Sequence, residues 1–316
     1  VNAVTRQRIL DVIKSINFQP NAAARSLAGG KTRILGLVIP RGVAAIFTDP
    51  YFPLLVQGVS SACNAHDYSV MLWLDEPDYE RRTVRKILNN ELLDGVILAS
   101  TFLEDPLLDA LAEKKLPFVL IGRHPSYLNA SYIDVDNVNG AFQIVSHLIR
   151  LGYRRIAAIT GQASMVVTMD RLEGYKSALK GAGLAVDHDL IVESDFSEDG
   201  GYLSMQRLIP RHPDAVFAAS DALAAGALRA LRDARLRVPD DISVVGFDDM
   251  PFAAHTDPPL TTVRQPINRV GSLAVETLID LVENPDTPPR RIIFPTELVI
   301  RNSCGTVQAP QTAREA

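Results

Sequence analysis

From Ile34 onward the chain alternates short apolar runs with longer stretches of helical periodicity, and it does so twice. The runs ILGLVI (34–39), SVMLWL (69–74), GVILAS (95–100) and FVLIG (118–122) lack strict apolar–polar alternation. A strand buried on one face alternates and a strand buried on both does not, so these runs predict interior strands of a parallel sheet. Helical stretches over 52–66, 79–90 and 105–114 separate them and complete a βαβ series. The series restarts at Arg155-Ile156-Ala157-Ala158-Ile159, then runs through a helix over 169–182, a strand over 215–220, a helix over 221–234 and a strand over 243–247. Two similar units predict an α/β protein of two doubly wound, parallel-sheet lobes. Ligands of such sheets sit at the carboxyl ends of the strands. Two lobes facing each other therefore make a cleft that can close on a small molecule.

The residues before Ile34 have a different character. Ile9, Val12, Ile13 and Ile16 recur at helical spacing over Thr5 to Asn17, with Arg6, Arg8 and Lys14 pointing elsewhere. Asn17 and Pro20 end that helix. The stretch PNAAARSLA (20–28) favours a helix of about two turns, which is marginal in water. It carries one large apolar residue, Leu27, and one cation, Arg25, before Gly29-Gly30 breaks it. Such a segment folds on meeting a partner. Alanines let two such helices approach, and a leucine can wedge between base steps in a minor groove. The alternative is a plain linker helix with Leu27 tucked against the body. Residues 1–33 hold six cations against Asp11 alone, while the whole chain is at −5. A basic arm on an acidic body is an electrostatic layout suited to nucleic acid.

Several chemistries are excluded at this level. Hydrophobic residues are 47% and charged ones 22%, the balance of a globular chain. No run reaches the ~18 apolar residues of a membrane span, and no secretory leader is visible. The two cysteines, Cys63 and Cys304, stand in unrelated contexts, which fits a reducing cytoplasm with neither a disulfide framework nor a zinc cluster. The six histidines form no HExxH pair, and no GxSxG elbow is present. Gly30-Lys31-Thr32 imitates the end of a phosphate-binding loop, but Arg25 stands where its first glycine must be. Asp248-Asp249 lacks a partner nucleophile or metal and reads as a hydrogen-bonding site. No catalytic residue, metal or cofactor is expected.

The segment VNAVTRQRILDVIKSINFQPNAAARSLAGGKT (1–32) resembles the last headpiece helix and hinge helix of the LacI/GalR (lactose-repressor) family. The resemblance continues to about Cys304 through DPYF (49–52), DGVIL (94–98), DRLEGY (170–175), SDALAAGAL (220–228), VPDDISVVGFDD (238–249) and PPLTTVRQP (258–266), in the family's order. It implies a periplasmic-binding-protein-like body behind a helical DNA-binding remnant and hinge helix. The implied division is 1–30 for remnant and hinge, 31–138 with 267–288 for the first lobe, 139–266 with 289–305 for the second, and 306–316 for a tail. Crossings between lobes are expected near Asn137–Asn139, Gln265–Ile267 and Asp286–Arg291.

The resemblance also implies roles. Tyr51, Phe52, Arg171, Phe196 and Asp248 are expected to line an effector pocket, and Arg123 and Asp221 join them as residues at strand ends. Each has a structural alternative: Phe52 as a helix-start core residue, Arg171 paired with Asp170 or Glu173, Asp248 as a cap of the next turn. The stretch 164–168 is more apolar than a purine-reading loop, which favours a neutral sugar. Asn21, Ala24, Arg25, Leu27 and Lys31 are the implied DNA-contacting positions, with Leu27 as wedge and Arg25 and Lys31 on phosphates. The expected protein is a cytoplasmic, homodimeric repressor of sugar-metabolism genes with operator DNA and a sugar as partners and no membrane. A sugar-binding receptor of a transport system is the alternative. The chain opens at Val1 inside the implied third headpiece helix, so it is expected to be N-terminally incomplete. As written it is expected to bind DNA weakly, because major-groove readout needs the recognition helix.

Overall fold

The structure is a computed structural model and describes residues 2–16, 31–39, 46, 48–74, 84, 85, 87, 89, 92–99 and 102–305. The hinge positions Asn21, Ala24, Arg25 and Leu27, most of the expected helix over 79–90 and the tail over 306–316 lie outside these residues.

Helix α1 (Ala3–Ser15) begins at Asn2, whose side chain accepts from the Thr5 amide at 2.9 Å. None of its residues is buried, and Val4, Ile9, Leu10, Val12, Ile13 and Ile16 are all exposed. The chain then enters the first lobe at a fixed point. The carboxylate of Asp94 accepts from the Thr32 amide (2.9 Å), the Thr32 hydroxyl (2.9 Å) and the Arg33 amide (2.8 Å).

The first lobe is a parallel sheet whose chain-order strands are β1 (Ile34–Ile39), β2 (Ser69–Leu74), β3 (Gly95–Ala99), β4 (Phe118–Ile121) and β5 (Ser131–Val135). Their spatial order is β5-β4-β3-β1-β2. Leu35, Leu37 and Ile39 pack on one face with Leu55 and Val59 of helix α2 (Tyr51–Ala65). Val38, Val96 and Leu98 pack on the other with Leu108 and Leu111 of helix α3 (Pro106–Lys114). Both faces are covered, which is why the apolar runs do not alternate.

At Asp136 the chain crosses to the second lobe. Helix α4 (Asn137–Arg150) leads to β6 (Ile156–Thr160), α5 (Val166–Gly181), β7 (Ile191–Glu193), α6 (Glu198–Leu208), β8 (Ala215–Ala218), α7 (Asp221–Asp233) and β9 (Ser243–Val245). The four strands form a parallel sheet in the order β7-β6-β8-β9. After β10 (Thr262–Arg264), helix α8 (Ile267–Glu283) returns to the first lobe and lies on α2. The two backbones approach so closely that a Cβ on Gly58 would lie 2.2 Å from the Asn268 carbonyl oxygen.

The third crossing departs from expectation. Residues 291–294 form strand β11 (Arg291–Phe294), which extends the first sheet beside β5 in parallel register. The second-lobe segment expected to begin at 289 therefore begins after Phe294, and β12 (Glu297–Val299) pairs antiparallel with β10. The cause is the otherwise open edge of β5. The Tyr132 and Asp136 amides donate to the Arg290 and Phe294 carbonyls, each at 2.9 Å. Helix α5 also starts three residues earlier than the expected 169, so Val166–Thr168 are helical rather than loop.

Candidate functional site

Between the lobes lies a cleft holding about 700 Å³ of empty space, counted with its open mouth. The first lobe contributes Asp49, Tyr51 and Phe52 around the start of α2, and Ile133, Asp134 and Val135 from the end of β5. The second contributes Met165 and Val167 at the start of α5, Arg171 one turn on, Phe196, Ser220 and Asp248. Asn137 and Gln265 line it from the first two crossings. All lie at carboxyl ends of strands or in the connections that follow them, the place parallel sheets reserve for ligands.

Arg171 organises the second-lobe wall. Its Nε donates to Asn137 Oδ1 at 2.9 Å and its Nη1 to the Ala219 carbonyl at 2.5 Å. Nη1 is also 3.3 Å from Asp248 Oδ1, and the guanidinium lies over the Phe247 ring, 3.8 Å from its centroid. It pairs with neither Asp170 nor Glu173. Gln265 Nε2 donates to the same Asp248 oxygen at 2.5 Å. Burial pushes the Asp248 carboxyl up to about 7, against the pull of Arg171 and Gln265 in the other direction. Burial and then the charge of Asp248 raise the Tyr51 phenol well above its usual range, so it stays a neutral hydroxyl. Tyr51 and Phe52 meet edge to face at 5.4 Å. Phe52 is at once a core residue and a cavity wall.

Two of these residues hold uncommon backbone. Asp248 has φ 116° and Phe196 has φ 67°. Left-handed conformations in non-glycine residues cost about 1–3 kcal/mol and concentrate at ligand sites. The Phe196 ring lies across Gly161 at the end of β6, where a Cβ would come within 1.8 Å of the ring.

Arg123 lines a side chamber rather than the main cavity. This recess, about 270 Å³ counted with its opening to solvent, is bounded by Ile121, Gly122, Asp134, Asn137 and Val167, shared with the main cavity, and by Arg123, Val166 and Asp170. Arg123 spans the lobes: its Nη2 is 2.7 Å from Asp170 Oδ1, while its amide donates to Asp134 Oδ2 at 3.2 Å. Burial raises the pKa of the Asp170 carboxyl to about 6, with Arg123 opposing. A second inter-lobe contact lies nearby. The Leu103 amide donates to the Ser164 carbonyl at 2.9 Å, and Phe102 and Met165 form an antiparallel bridge. His124 holds that loop. Its Nδ1 accepts from the Ser126 amide (3.2 Å), so Nε2 carries the proton and faces the Phe102 and Leu103 carbonyls at 3.0 and 3.2 Å.

Asp221 corrects the sequence expectation. It is fully buried and does not line the cleft. Its Oδ2 accepts from the Met250 amide (2.7 Å) and its Oδ1 from the Thr262 hydroxyl (2.5 Å), so it ties the β9 exit to β10. Burial, with the Asp248 charge next, raises its pKa well above the usual carboxylate range. Asp249 is likewise structural, held by Arg264 (2.7 Å) and Arg301 (2.6 Å). Lys31 is exposed in the segment leading into β1. Asp134 is a cavity residue that the sequence did not single out; a carboxylate closing the apolar SYIDV run was the available signal. Among the described residues there is no cluster of His, Cys, Asp and Glu able to hold a metal. Among those residues also, no helix is long and apolar enough to cross a membrane.

Residues 145–304 match a family model described as a periplasmic binding protein-like domain. The HTH-type transcriptional regulator CelR of Thermobifida fusca is 37% identical over 307 residues, which cover 96% of this chain and 90% of that protein. A solved transcriptional regulator CelR–cellobiose complex superposes with a TM-score of 0.83 at 35% identity, over 96% of this chain and 91% of that one. A LacI family transcriptional regulator from Enterococcus faecium with bound ribose superposes with a TM-score of 0.75 at 25% identity, over 87% of this chain and 100% of that one. The two-lobed body and the near full-length likeness to regulators agree, and this chain belongs to the LacI family of transcriptional regulators.

Proposed function

We propose that a neutral sugar is the effector of this regulator and that it binds in the inter-lobe cleft. The observation that carries this is the buried Arg171–Asp248 pair, bracketed by Asn137 and Gln265 and walled by Tyr51, Phe52 and Phe196. Vicinal hydroxyls donate to a carboxylate and accept from a guanidinium. The C–H faces of a sugar ring pack on aromatic rings. The charged groups of the cleft are Asp49, Asp134 and Asp248 against Arg171. That balance repels a phosphate, and the apolar Met165 and Val167 offer a nucleobase no hydrogen bonds. The relatives are known with cellobiose and with ribose, both neutral sugars.

The proposed mechanism is lobe closure read out at the hinge. A sugar touching both walls favours the closed pair of lobes, which Arg123–Asp170 and Leu103–Ser164 also join. Any rotation of the first lobe moves Asp94, and Asp94 grips Thr32 and Arg33 at the exit of the hinge segment. The hinge segments of two chains order on operator DNA, with Leu27 of each in the minor groove and Asn21, Ala24, Arg25 and Lys31 alongside. Effector and DNA then bias one equilibrium, typically by about 1–3 kcal/mol. The protein so proposed is a cytoplasmic homodimer with no catalytic role and no cofactor.

A thermal-shift screen tests the effector class. At a hundredfold excess over Kd a ligand stabilises the folded body by about 2.7 kcal/mol. Neutral sugars are expected to raise Tm selectively. Selective stabilisation by sugar phosphates or purines, with none by neutral sugars, overturns the proposal.

A further inference from the structure

A group of contacts joins the lobes away from the covalent crossings. The Leu103 amide donates to the Ser164 carbonyl at 2.9 Å, Phe102 and Met165 form an antiparallel bridge, and Arg123 Nη2 lies 2.7 Å from Asp170 Oδ1. On the first lobe these residues stand just past the ends of β3 and β4, and on the second they fall within 164–170, around the start of α5. The first and third crossings leave from β5 and β11. In the order β11-β5-β4-β3 the exit of β3 is two strands from β5, or about 10 Å. Contacts set that far from the crossings resist an opening rotation of one lobe on the other.

His124 builds the first-lobe half of this group. It is buried, its Nε2–H faces the Phe102 and Leu103 carbonyls at 3.0 and 3.2 Å, and its Nδ1 accepts from the Ser126 amide. Its ring meets Tyr127 edge to face at 5.1 Å. One imidazole thereby fixes the loop after β3 to the exit of β4, so that Leu103 and Arg123 present to the second lobe as one piece. Leu103, Arg123, His124, Ser164 and Asp170 do not line the main cavity, and Met165 is the member that does. The Leu103 bond and the Phe102–Met165 bridge are main-chain pairings, which need no ligand to form.

We propose that these residues form a clasp that holds the lobes closed before any effector binds, with His124 as its positioning residue. An effector enters when the clasp opens and is enclosed when it shuts again. The resting balance between open and closed lobes is therefore set outside the cavity. A protein whose competent state is only partly populated binds with its affinity reduced by that fraction. The clasp raises the closed fraction, and so tightens effector binding through groups that line no part of the effector cavity. It acts whatever the chemistry of the effector and stands apart from the sugar assignment.

A disulfide trap tests this in the full chain with no ligand added. The Leu103–Ser164 bond makes Phe102 and Met165 a non-hydrogen-bonded pair, whose Cα atoms typically stand about 4.5 Å apart. That separation lies within the roughly 4.4–6.8 Å a disulfide spans, and the native Cys63 and Cys304 are buried and do not compete. The Phe102→Cys/Met165→Cys double variant, oxidised in glutathione buffer and read by gel mobility, is expected to cross-link without effector. Adding Arg123→Gln or His124→Phe is expected to slow cross-linking at least threefold. His124→Gln, whose amide can donate to the same carbonyls, is expected to keep the rate within twofold. Cooperative thermal unfolding of each reduced variant shows that it is folded. In the unsubstituted chain without effector, the Leu103 amide is expected to exchange with solvent at least tenfold more slowly than an unprotected amide. Failure to cross-link without effector, a rate indifferent to both Arg123→Gln and His124→Phe, or an unprotected Leu103 amide overturns the clasp.

Discussion

Gly161→Ala is a one-methyl test of the cleft wall. The added Cβ would stand 1.8 Å from Phe196 Cε2, 2.2 Å from Cζ and 2.5 Å from Cδ2. Ordinary carbon contacts lie at about 3.5–4.0 Å, so the ring must retreat by roughly 1.5–2 Å. Phe196 has little freedom to do this, since it is 9% exposed and its backbone is already left-handed. Overpacking of this kind costs about 1–3 kcal/mol. Gly161 itself has no left-handed φ, so alanine there carries no backbone penalty and stabilises by about 0.4–1 kcal/mol through the unfolded chain. The net expectation is a loss of about 1–2 kcal/mol in urea unfolding, with effector affinity weaker by about 5- to 30-fold. The sign should reverse once the ring is gone: in a Phe196→Ala background, Gly161→Ala should be neutral or stabilising. A double-mutant cycle reads this coupling directly. Equal destabilisation in both backgrounds would refute the idea that the ring lies across Gly161 and shapes the cleft.

Three further outcomes follow from the same geometry. Arg171→Met should cost about 3–5 kcal/mol at pH 8, where the buried Asp248 loses its cation and keeps only the Gln265 amide, and clearly less at pH 5.5, where Asp248 holds a proton; urea unfolding at the two pH values checks this, and equal losses count against it. Asp248 and Asp170 have folded-state pKa values raised to about 7 and about 6, so the native state binds extra protons above pH 4 and ligand-free stability falls as pH rises through 6 to 7. Sugar hydroxyls donating to Asp248 favour its charged form, so effector binding should tighten as pH rises towards 7 and release protons, measurable by calorimetry in buffers of different ionisation enthalpy; proton uptake would contradict it. Asp94→Ala removes three hydrogen bonds at 2.8–2.9 Å from Thr32 and Arg33, and should lower stability by about 1–2 kcal/mol while leaving sugar affinity within twofold.

The parts of the fold that were legible in the sequence are those in which burial dictates residue type. Strand β1 announces itself because both of its faces are covered, and α2, α3 and α7 follow from their apolar spacing. Strand β5 was missed because Ser131 and Asp134 interrupt its apolar residues, although Asp134 is there to serve the cleft. Strand β11 was missed because RIIF lies between Pro288-Pro289-Arg290 and Pro295, which reads as loop; it exists because β5 presents an edge about 160 residues away in sequence. The site divides in the same way. Asp221 and Asp248 both end strands, and no local signal tells which carboxylate faces the cleft. The difference lies in the Met250 amide and Thr262 hydroxyl that claim Asp221, and in Arg171 and Gln265 that claim Asp248.

The account stands or falls on whether the cleft reports to the hinge, and amide hydrogen exchange of the chain with and without a saturating neutral sugar measures that directly. Exchange is expected to change in peptides covering 20–33 and 92–94 as well as around the cavity, and the distant change should vanish in Arg171→Met. Slowing confined to the cavity walls, with residues 20–33 indifferent to the sugar, would contradict it.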